Sequence, residues 1–193
     1  EATEERFVSE SSKGKVIHLA MHTLLNDSDP MFSRMVFALN TDEYENGLLN
    51  TYEVYNLDLN AKMVVLSSCN TGSGYLQSGE GVISLARGFM YAGTPSVVMS
   101  LWEVDDLSGS EIVKAFYKSL KRGVPKSRAL EKSRKKYLAG ADQLRSHPYF
   151  WCSMVILGND EPIFYKRASI ITIVLLVLAG VIFLRYYFKP RSS

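Results

Sequence analysis

Two side chains in this sequence could together perform nucleophilic catalysis: the thiol of Cys69 and the imidazole of His22. Cys69 follows an apolar run and precedes a polar, glycine-containing stretch, VVLSSCNTG, over 64–72. His22 ends a second short apolar run, KVIHLAMH, over 15–22. A nearby histidine can take up the thiol proton or pair with the thiolate, which is the nucleophilic form of cysteine. Backbone N–H groups at the turn after a strand can stabilise an oxyanion. The alternative is a buried strand that ends in a loop, in which both residues serve only for packing.

The other cysteine and histidines have simpler interpretations. Cys152 lies inside an apolar run and is expected to be a buried small hydrophobe. His147, in HPYFW, has aromatic neighbours and is expected to be structural. His18 lies four residues before His22, so the two share a face if the strand is regular. The strand must therefore end or turn between them if their roles differ.

Composition limits the classes of function. A chain of 193 residues fits one domain and is long enough to bury a core. The net charge of +2, from 22 basic and 20 acidic residues, is too small to indicate nucleic acid as a partner. With two cysteines and no CxxC pair, the sequence predicts neither a disulfide framework nor a zinc site.

Apolar runs and helical periodicity predict an α/β domain. The predicted strands cover residues 15–21, 35–39, 62–67, 96–101 and 151–157, and the predicted helices cover 48–57, 80–92, 105–123 and 125–138. The run at 62–67 is apolar at every position, as in sheets covered by helices on both faces. Alternating strands and helices indicate a mostly parallel sheet, whose sites lie at the carboxyl ends of the strands. Both His22 and Cys69 follow such ends.

The C-terminal segment predicts a membrane anchor. Seventeen residues over 168–184 carry no charge, which is the short end of the range that spans a bilayer. Basic residues flank this run on both sides: Lys166, Arg167, Arg185, Lys189 and Arg191. We expect a basic linker over 164–167, a single transmembrane helix over 168–188 and a short basic tail over 189–193; the alternative is a buried core helix. The excess of one basic residue after the span leaves the side of the membrane open.

Several blocks, taken in order, resemble the CHAT domain family, caspase-like proteins of the same broad group as separase, metacaspases and gingipains. The blocks are HLAMH, LSSCNTG, GEGVISLARGFMYAG, SVVMSLW, a Val-Asp-Asp helix start, HPYFW and VILG. The resemblance covers about residues 2–162. Its AMHT and SSCNTG variants are similar to those of membrane-attached bacterial members.

The resemblance implies a caspase-like three-layer α/β/α sandwich over 1–163 that lacks the first strand and helix of the family. It implies a cysteine endopeptidase with Cys69 as nucleophile, His22 as general base, and the backbone N–H groups of Thr23 and Cys69 as the oxyanion site. No metal or organic cofactor is implied. Family members commonly have glycine where this chain has Thr23. Tetratricopeptide (TPR) repeats commonly precede the domain and would bind regulatory proteins.

In caspase-like folds, the strand matching SVVMSLW borders the pocket for the residue before the scissile bond. Glu103 and Asp105 could therefore select an arginine or lysine of a protein or peptide substrate by charge-assisted hydrogen bonds. Trp102 either lines this pocket or is buried under the same loop. Helix capping is the favoured role of Asp106 and the alternative role of Asp105.

Two other classes of function compete with the peptidase. A catalytically silent scaffold would keep the fold and bind signalling partners, and Thr23 in place of glycine is the feature that favours it. A phosphate-binding α/β domain has little support, because the GSG after the strand does not match GxxxxGK[ST].

Overall fold

The computed structural model describes residues 2–24, 26, 29–39, 47–67, 76–77, 81–82, 85–102, 105–165 and 167–187. Cys69 and Glu103 lie outside these described residues. In the described residues, strands alternate with helices along most of the chain, and the predicted α/β class is confirmed.

A four-stranded sheet forms the centre of the fold. Its strands, in spatial order, are β1 (Val16–Leu19), β5 (Met63–Leu66), β8 (Ser96–Ser100) and β9 (Met154–Gly158). The first three are parallel, and β9 runs antiparallel to β8. These strands correspond to four of the five predicted apolar runs, so the mostly parallel sheet is confirmed.

Helices cover both faces of this sheet. The helices of the described chain are α1 (Glu4–Ser11), α2 (Thr51–Val54), α3 (Leu85–Tyr91), α4 (Asp106–Leu120), α5 (Lys126–Leu138) and α6 (Arg167–Tyr187), and α2 to α5 cover the sheet. Residues of α2 and α3 bury their apolar side chains against one face, and residues of α4 and α5 against the other. The helices predicted over 105–123 and 125–138 are confirmed as α4 and α5.

The two faces of β5 explain why its sequence is apolar throughout. Val64 and Leu66 belong to the apolar cluster on the α3 side, whereas Met63 and Val65 belong to the cluster on the α4 side. Each of the four side chains is at most 1% exposed. Successive side chains of a strand point to opposite faces, so a central strand between two helical layers has no solvent-facing position.

Two smaller antiparallel sheets lie outside the central one. The first joins β2 (Thr23–Leu24), β3 (Arg34–Val36) and β4 (Leu48–Asn50), and the second joins β6 (Leu76–Gln77) and β7 (Gly81–Val82). The strand predicted over 35–39 therefore exists in part as β3, but it pairs with its sequence neighbours instead of the central sheet.

Two predicted helices begin later than expected. Residues 48–50 of the predicted helix over 48–57 form β4, and only Thr51–Val54 is helical. A capping box, in which the Asn50 and Glu53 side chains satisfy each other's backbone N–H groups, fixes this start. In the predicted helix over 80–92, Gly81–Val82 pairs with β6, and α3 begins at Leu85.

A glycine ends β9. Gly158 has φ = +84°, a conformation that residues with a Cβ atom rarely adopt. A Cβ atom at this position would lie 2.2 Å from the carbonyl oxygen of Pro95. The next residue, Asn159, donates its backbone N–H to the same oxygen at 2.8 Å. The chain therefore needs glycine to approach Pro95 this closely.

The C-terminal segment is helical. The 21 residues of α6 include most of the uncharged run, and large apolar side chains between Val174 and Leu184 are exposed. No helix in the described part of the chain is both long enough and apolar enough to cross a membrane.

Candidate active site

The exits of β1 and β5 lie side by side. The two strands are adjacent and parallel, with Leu19 opposite Leu66 at their carboxyl ends. The pairing continues one residue past β5, where the backbone N–H of Ser67 donates a hydrogen bond to the carbonyl oxygen of Leu19 at 3.0 Å. The chain reaches His22 three residues after Leu19, and reaches Cys69 two residues after Ser67. The strands that precede His22 and Cys69 in the sequence are thus neighbours in the sheet, while the position of Cys69 lies outside the described residues.

His22 connects the central sheet to the first small sheet. It lies between β1 and β2, and its side chain is exposed. Its carbonyl oxygen accepts a hydrogen bond from the backbone N–H of Val36 at 3.0 Å. Thr23, the first residue of β2, pairs with Met35. The backbone at both predicted site residues is thus held by pairing with β3, and their catalytic roles stay predictions.

A cavity of about 500 Å³ lies between the carboxyl edge of the sheet and the first turns of α4. Its sheet side is lined by His18, Ala20, Ser67 and Ser100. Its helix side is lined by residues of α4 from Asp106 to Tyr117, and Trp102, Asp105, Ser153 and Met154 complete the wall. A cavity at the carboxyl ends of parallel strands is the usual place of a site in α/β proteins.

His18 forms a polar contact at the sheet side of this cavity. Its Nε2 lies 2.8 Å from the hydroxyl oxygen of Ser67 on the neighbouring chain segment. Its ring contacts that of Tyr117, with 5.6 Å between the ring centroids. The edge of the imidazole is open to the cavity, but burial of the ring lowers its pKa below the ordinary value of 6.5. The neutral form of the His18 imidazole is therefore favoured more than in a free histidine.

Tyr117 contributes a buried hydroxyl to the same region. Burial raises the pKa of the phenol to about 12, because the charged form is poorly solvated there. Among the residues with described positions, the buried hydroxyl has no hydrogen-bond partner. The neighbouring Tyr137 differs, because its hydroxyl lies 2.8 Å from that of Ser108.

Asp105, rather than Asp106, caps α4. Its carboxylate accepts the backbone N–H groups of Leu107 at 3.2 Å and Ser108 at 3.1 Å, and also the Ser108 hydroxyl. The hydrogen bond from that hydroxyl is the main cause of the lowered pKa of Asp105. The favoured capping role of Asp106 is thus wrong: Asp106 is the first helical residue, and both residues line the cavity.

Trp102 lines the cavity, and its side chain is held in place by contacts with Tyr149. Its indole N–H donates to the carbonyl oxygen of Tyr149 at 2.9 Å, and the two rings stack with centroids 6.4 Å apart. Trp102 is half-buried in this wall, and its role in a substrate pocket stays a prediction. Glu103, the third predicted pocket residue, lies outside the described residues.

The remaining candidates have structural roles. His147 begins a short 3₁₀ helix, and its Nδ1 accepts the backbone N–H of Tyr149 at 3.3 Å, as expected of a structural histidine. Cys152 is a free thiol and is half-buried, so it is less buried than expected. In the described ranges, no cluster of three or more His, Cys, Asp or Glu side chains could hold a metal ion.

Two cavity residues were not identified as site residues from the sequence. Ser67 lies two residues before the predicted nucleophile. Because residues two apart in a strand share a face, Ser67 could have been placed with Val65 on the α4 side of β5. Tyr117 lies one residue after the core residue Phe116, and helical periodicity alone does not separate a cavity-facing position from a core-facing one.

Comparison with known proteins agrees with this geometry. The sequence model of the CHAT domain matches residues 1–159. Human Tetratricopeptide repeat protein 28 is 29% identical over 190 residues, which cover 82% of this chain and 8% of that protein. The mouse protein of the same name is 33% identical over 113 residues, which cover 58% of this chain and 4% of that protein. The chain thus spans less than a tenth of the length of these curated relatives.

A solved structure has a related fold. The crystal structure of the Arg-specific cysteine proteinase gingipain R matches with a TM-score of 0.51 and 11% sequence identity. The match covers 83% of this chain and 36% of the gingipain chain. At this identity the likeness shows a common fold, a mostly parallel sheet between helices.

Proposed function

Because the chain belongs to the CHAT domain family, we propose that it is a cysteine endopeptidase that uses Cys69 as nucleophile and His22 as general base. The observation that carries this proposal is the pairing of β1 with β5. The two adjacent parallel strands end at one edge of the sheet, beside a cavity of about 500 Å³, and His22 and Cys69 follow these two strand ends in the sequence.

In the proposed reaction, His22 removes the thiol proton and the Cys69 sulfur bonds to the scissile carbonyl carbon. Backbone N–H groups of Thr23 and Cys69 stabilise the oxyanion. The C–N bond then breaks, and the proton passes from His22 to the departing amine. Water then attacks the thioester carbon as His22 accepts a proton from it, the C–S bond breaks, and His22 returns the proton to the departing Cys69 thiolate. The reaction requires no metal or organic cofactor.

We propose further that the enzyme cleaves after a basic residue. Asp105 and Asp106 line the cavity and bring two negative charges to its wall. Among the described lining residues, Lys114 is the single cation. Trp102 supplies an apolar wall for the methylene groups of an arginine or lysine side chain. The cap hydrogen bonds keep Asp105 ionised, so its charge contributes even though its oxygens already accept three hydrogen bonds. Glu103 is a further candidate for the same role.

The proposal is tested by labelling with acyloxymethyl ketone probes that carry arginine, lysine, aspartate or leucine beside the warhead. We expect the arginine and lysine probes to label the protein, and Cys69→Ala and His22→Ala to abolish the labelling. Cys152→Ala and His147→Ala are matched controls that should label normally, because they change the other cysteine and a histidine with a structural role. A preference for the aspartate or leucine probe would refute the basic specificity alone.

A scaffold without catalytic activity is the second candidate, favoured by Thr23 at the position where family members commonly carry glycine. No labelling by any probe, with or without partner proteins of the full-length chain, would support it. The Tetratricopeptide repeat name of the relatives fits a proposal that such repeats bind regulatory proteins. Co-purification of the same partners with Cys69→Ala would be expected under either candidate, because binding by repeats does not need the thiol.

We also propose that the C-terminal segment over 168–188, which extends past the described part of α6, anchors the protein in a membrane as a single-pass helix. The proposal rests on the uncharged run over 168–184 and on the exposed apolar side chains of α6. The protein should then stay in membranes washed with alkaline carbonate. Replacement of Leu175, Leu176 and Leu178 by lysine should release it, whereas Leu144→Lys, at an exposed leucine outside α6, should not. Release of the unmodified protein would refute the anchor.

A further inference from the structure

The hydrogen bond between His18 and Ser67 links the two chain segments that lead to the proposed dyad. Ser67 is the last described residue before Cys69, and two bonds hold it. Its backbone N–H donates to the carbonyl oxygen of Leu19 at 3.0 Å, and its hydroxyl lies 2.8 Å from Nε2 of His18. The first is an ordinary bond of the sheet, whereas the second depends on the identity of two side chains.

The ring of His18 is itself held in place. On the α4 side it contacts the ring of Tyr117, and on the sheet side its Nε2 lies 2.8 Å from the Ser67 hydroxyl. Among the described residues, the charged groups that line the same cavity are Asp105, the N-cap of α4, and Asp106 and Lys114 within that helix. In either tautomer of the neutral imidazole, Nε2 can bond the Ser67 hydroxyl, because a hydroxyl both donates and accepts.

We propose that His18 is a positioning residue for the nucleophile: through Ser67 it fixes the start of the segment that carries Cys69. This inference rests on the proposed function for its catalytic consequence. His18 is assigned no proton transfer, since its Nε2 is already engaged by Ser67 and His22 has the proposed role of base. A misplacement of reacting atoms by about 1 Å can lower a rate about 100-fold, so a bond at this position has a measurable effect.

The test uses His18→Leu, which removes the bond, and His18→Gln, whose side-chain amide can restore it. Ser67→Ala removes the other partner. We expect His18→Leu and Ser67→Ala each to lower kcat about 10- to 100-fold with little change in KM. The double variant should be no slower than either single variant, because both changes remove the same contact. His18→Gln should recover most of the rate.

A second measurement separates this inference from the proposed function. In a Cys152→Ala background, iodoacetamide reports the reactivity of the Cys69 thiolate as a function of pH, whether or not the protein cleaves peptides. We expect His22→Ala to move the pH midpoint of alkylation. His18→Leu and Ser67→Ala should change the plateau rate by the same factor and leave the midpoint in place, since no charge is removed.

Three results would overturn the inference. The first is a His18→Leu variant as fast as the unmodified protein in both assays. The second is a double variant whose loss of rate equals the product of the two single losses, and the third is a shift of the alkylation midpoint in His18→Leu like that in His22→Ala. The last would assign His18 to proton transfer. If the unmodified protein cleaves nothing while the alkylation rates still follow the expected pattern, the proposed function fails and the positioning role stands. Thermal unfolding midpoints of His18→Gln and His18→Leu, measured together, exclude misfolding as the cause of a loss.

Discussion

Replacing Tyr117 by phenylalanine is expected to stabilise the protein. The Tyr117 hydroxyl is buried and has no hydrogen-bond partner among the described residues, while its ring contacts those of His18 and Phe116. Leaving a buried polar group without a partner costs about 1–3 kcal/mol, and phenylalanine removes the group and keeps the ring. The side chain of Tyr117 as a whole is only half-buried, so we expect the gain to be about 1 kcal/mol, at the lower end of that range.

For a domain of this size, a gain of 1 kcal/mol raises the thermal midpoint by about 2–4 °C. The assay is thermal and urea unfolding of the whole chain in a non-ionic detergent, followed by the fluorescence of its two tryptophans. Tyr137→Phe is the matched control. Its hydroxyl bonds that of Ser108 at 2.8 Å, so its loss should lower the free energy of unfolding by about 0.5–1.5 kcal/mol.

Opposite signs for the two substitutions are therefore the expected outcome. Destabilisation of Tyr117→Phe by as much as Tyr137→Phe would refute the reasoning, because it would show that the Tyr117 hydroxyl makes a bond worth keeping. A gain in both variants would show that removing any hydroxyl from this layer is favourable, whether or not it is bonded.

Asp105→Ala should lower the free energy of unfolding by about 1–2 kcal/mol through loss of the helix cap, and Asp105→Asn by less, as measured by urea unfolding. Gly158→Ala should lower the free energy of unfolding by about 3 kcal/mol or more, because its Cβ would meet the Pro95 carbonyl. Gly109→Ala, in α4, has open space around the added Cβ and should raise the free energy of unfolding by about 0.5–1 kcal/mol. The thermal midpoints of the two variants should therefore move in opposite directions. Because the pKa of His18 is lowered in the folded protein, the unfolded chain binds a proton at this histidine more readily. The free energy of unfolding should therefore fall as the pH drops below 6.5. In unfolding curves between pH 7.5 and 5, His18→Gln should reduce this dependence on pH.

The central strands could be predicted because their apolar sequences are compatible only with a buried strand. The run at β5 is apolar at every position, which fits only a strand buried on both faces. The long helices α4 and α5 could be predicted from their periodicity. Local pattern did not reveal the partner of each strand. The run at β3 is as apolar as a core strand, yet it pairs with Thr23–Leu24 and Leu48–Asn50.

The site could be predicted only in part, for a similar reason. Cys69 and His22 follow apolar runs, so their place after strand ends could be inferred from order along the chain. The bond between His18 and Ser67 joins residues 49 positions apart, and it depends on the register of β1 against β5. Asp105 and Asp106 are adjacent and chemically identical, and only the backbone geometry at the start of α4 decides which one is the cap.

Helix α4 allows the cavity to diverge between relatives without loss of the fold. One stripe of the helix, with Ile112 and Phe116, is buried in the core and tolerates little change. Another stripe, with Asp106, Ser110 and Lys114, faces the cavity and lies outside the core. Mutations on the second stripe can alter what the cavity accepts at almost no cost in folding. A gene duplicate could therefore drift to a new ligand preference through single substitutions, each of which leaves a stable protein.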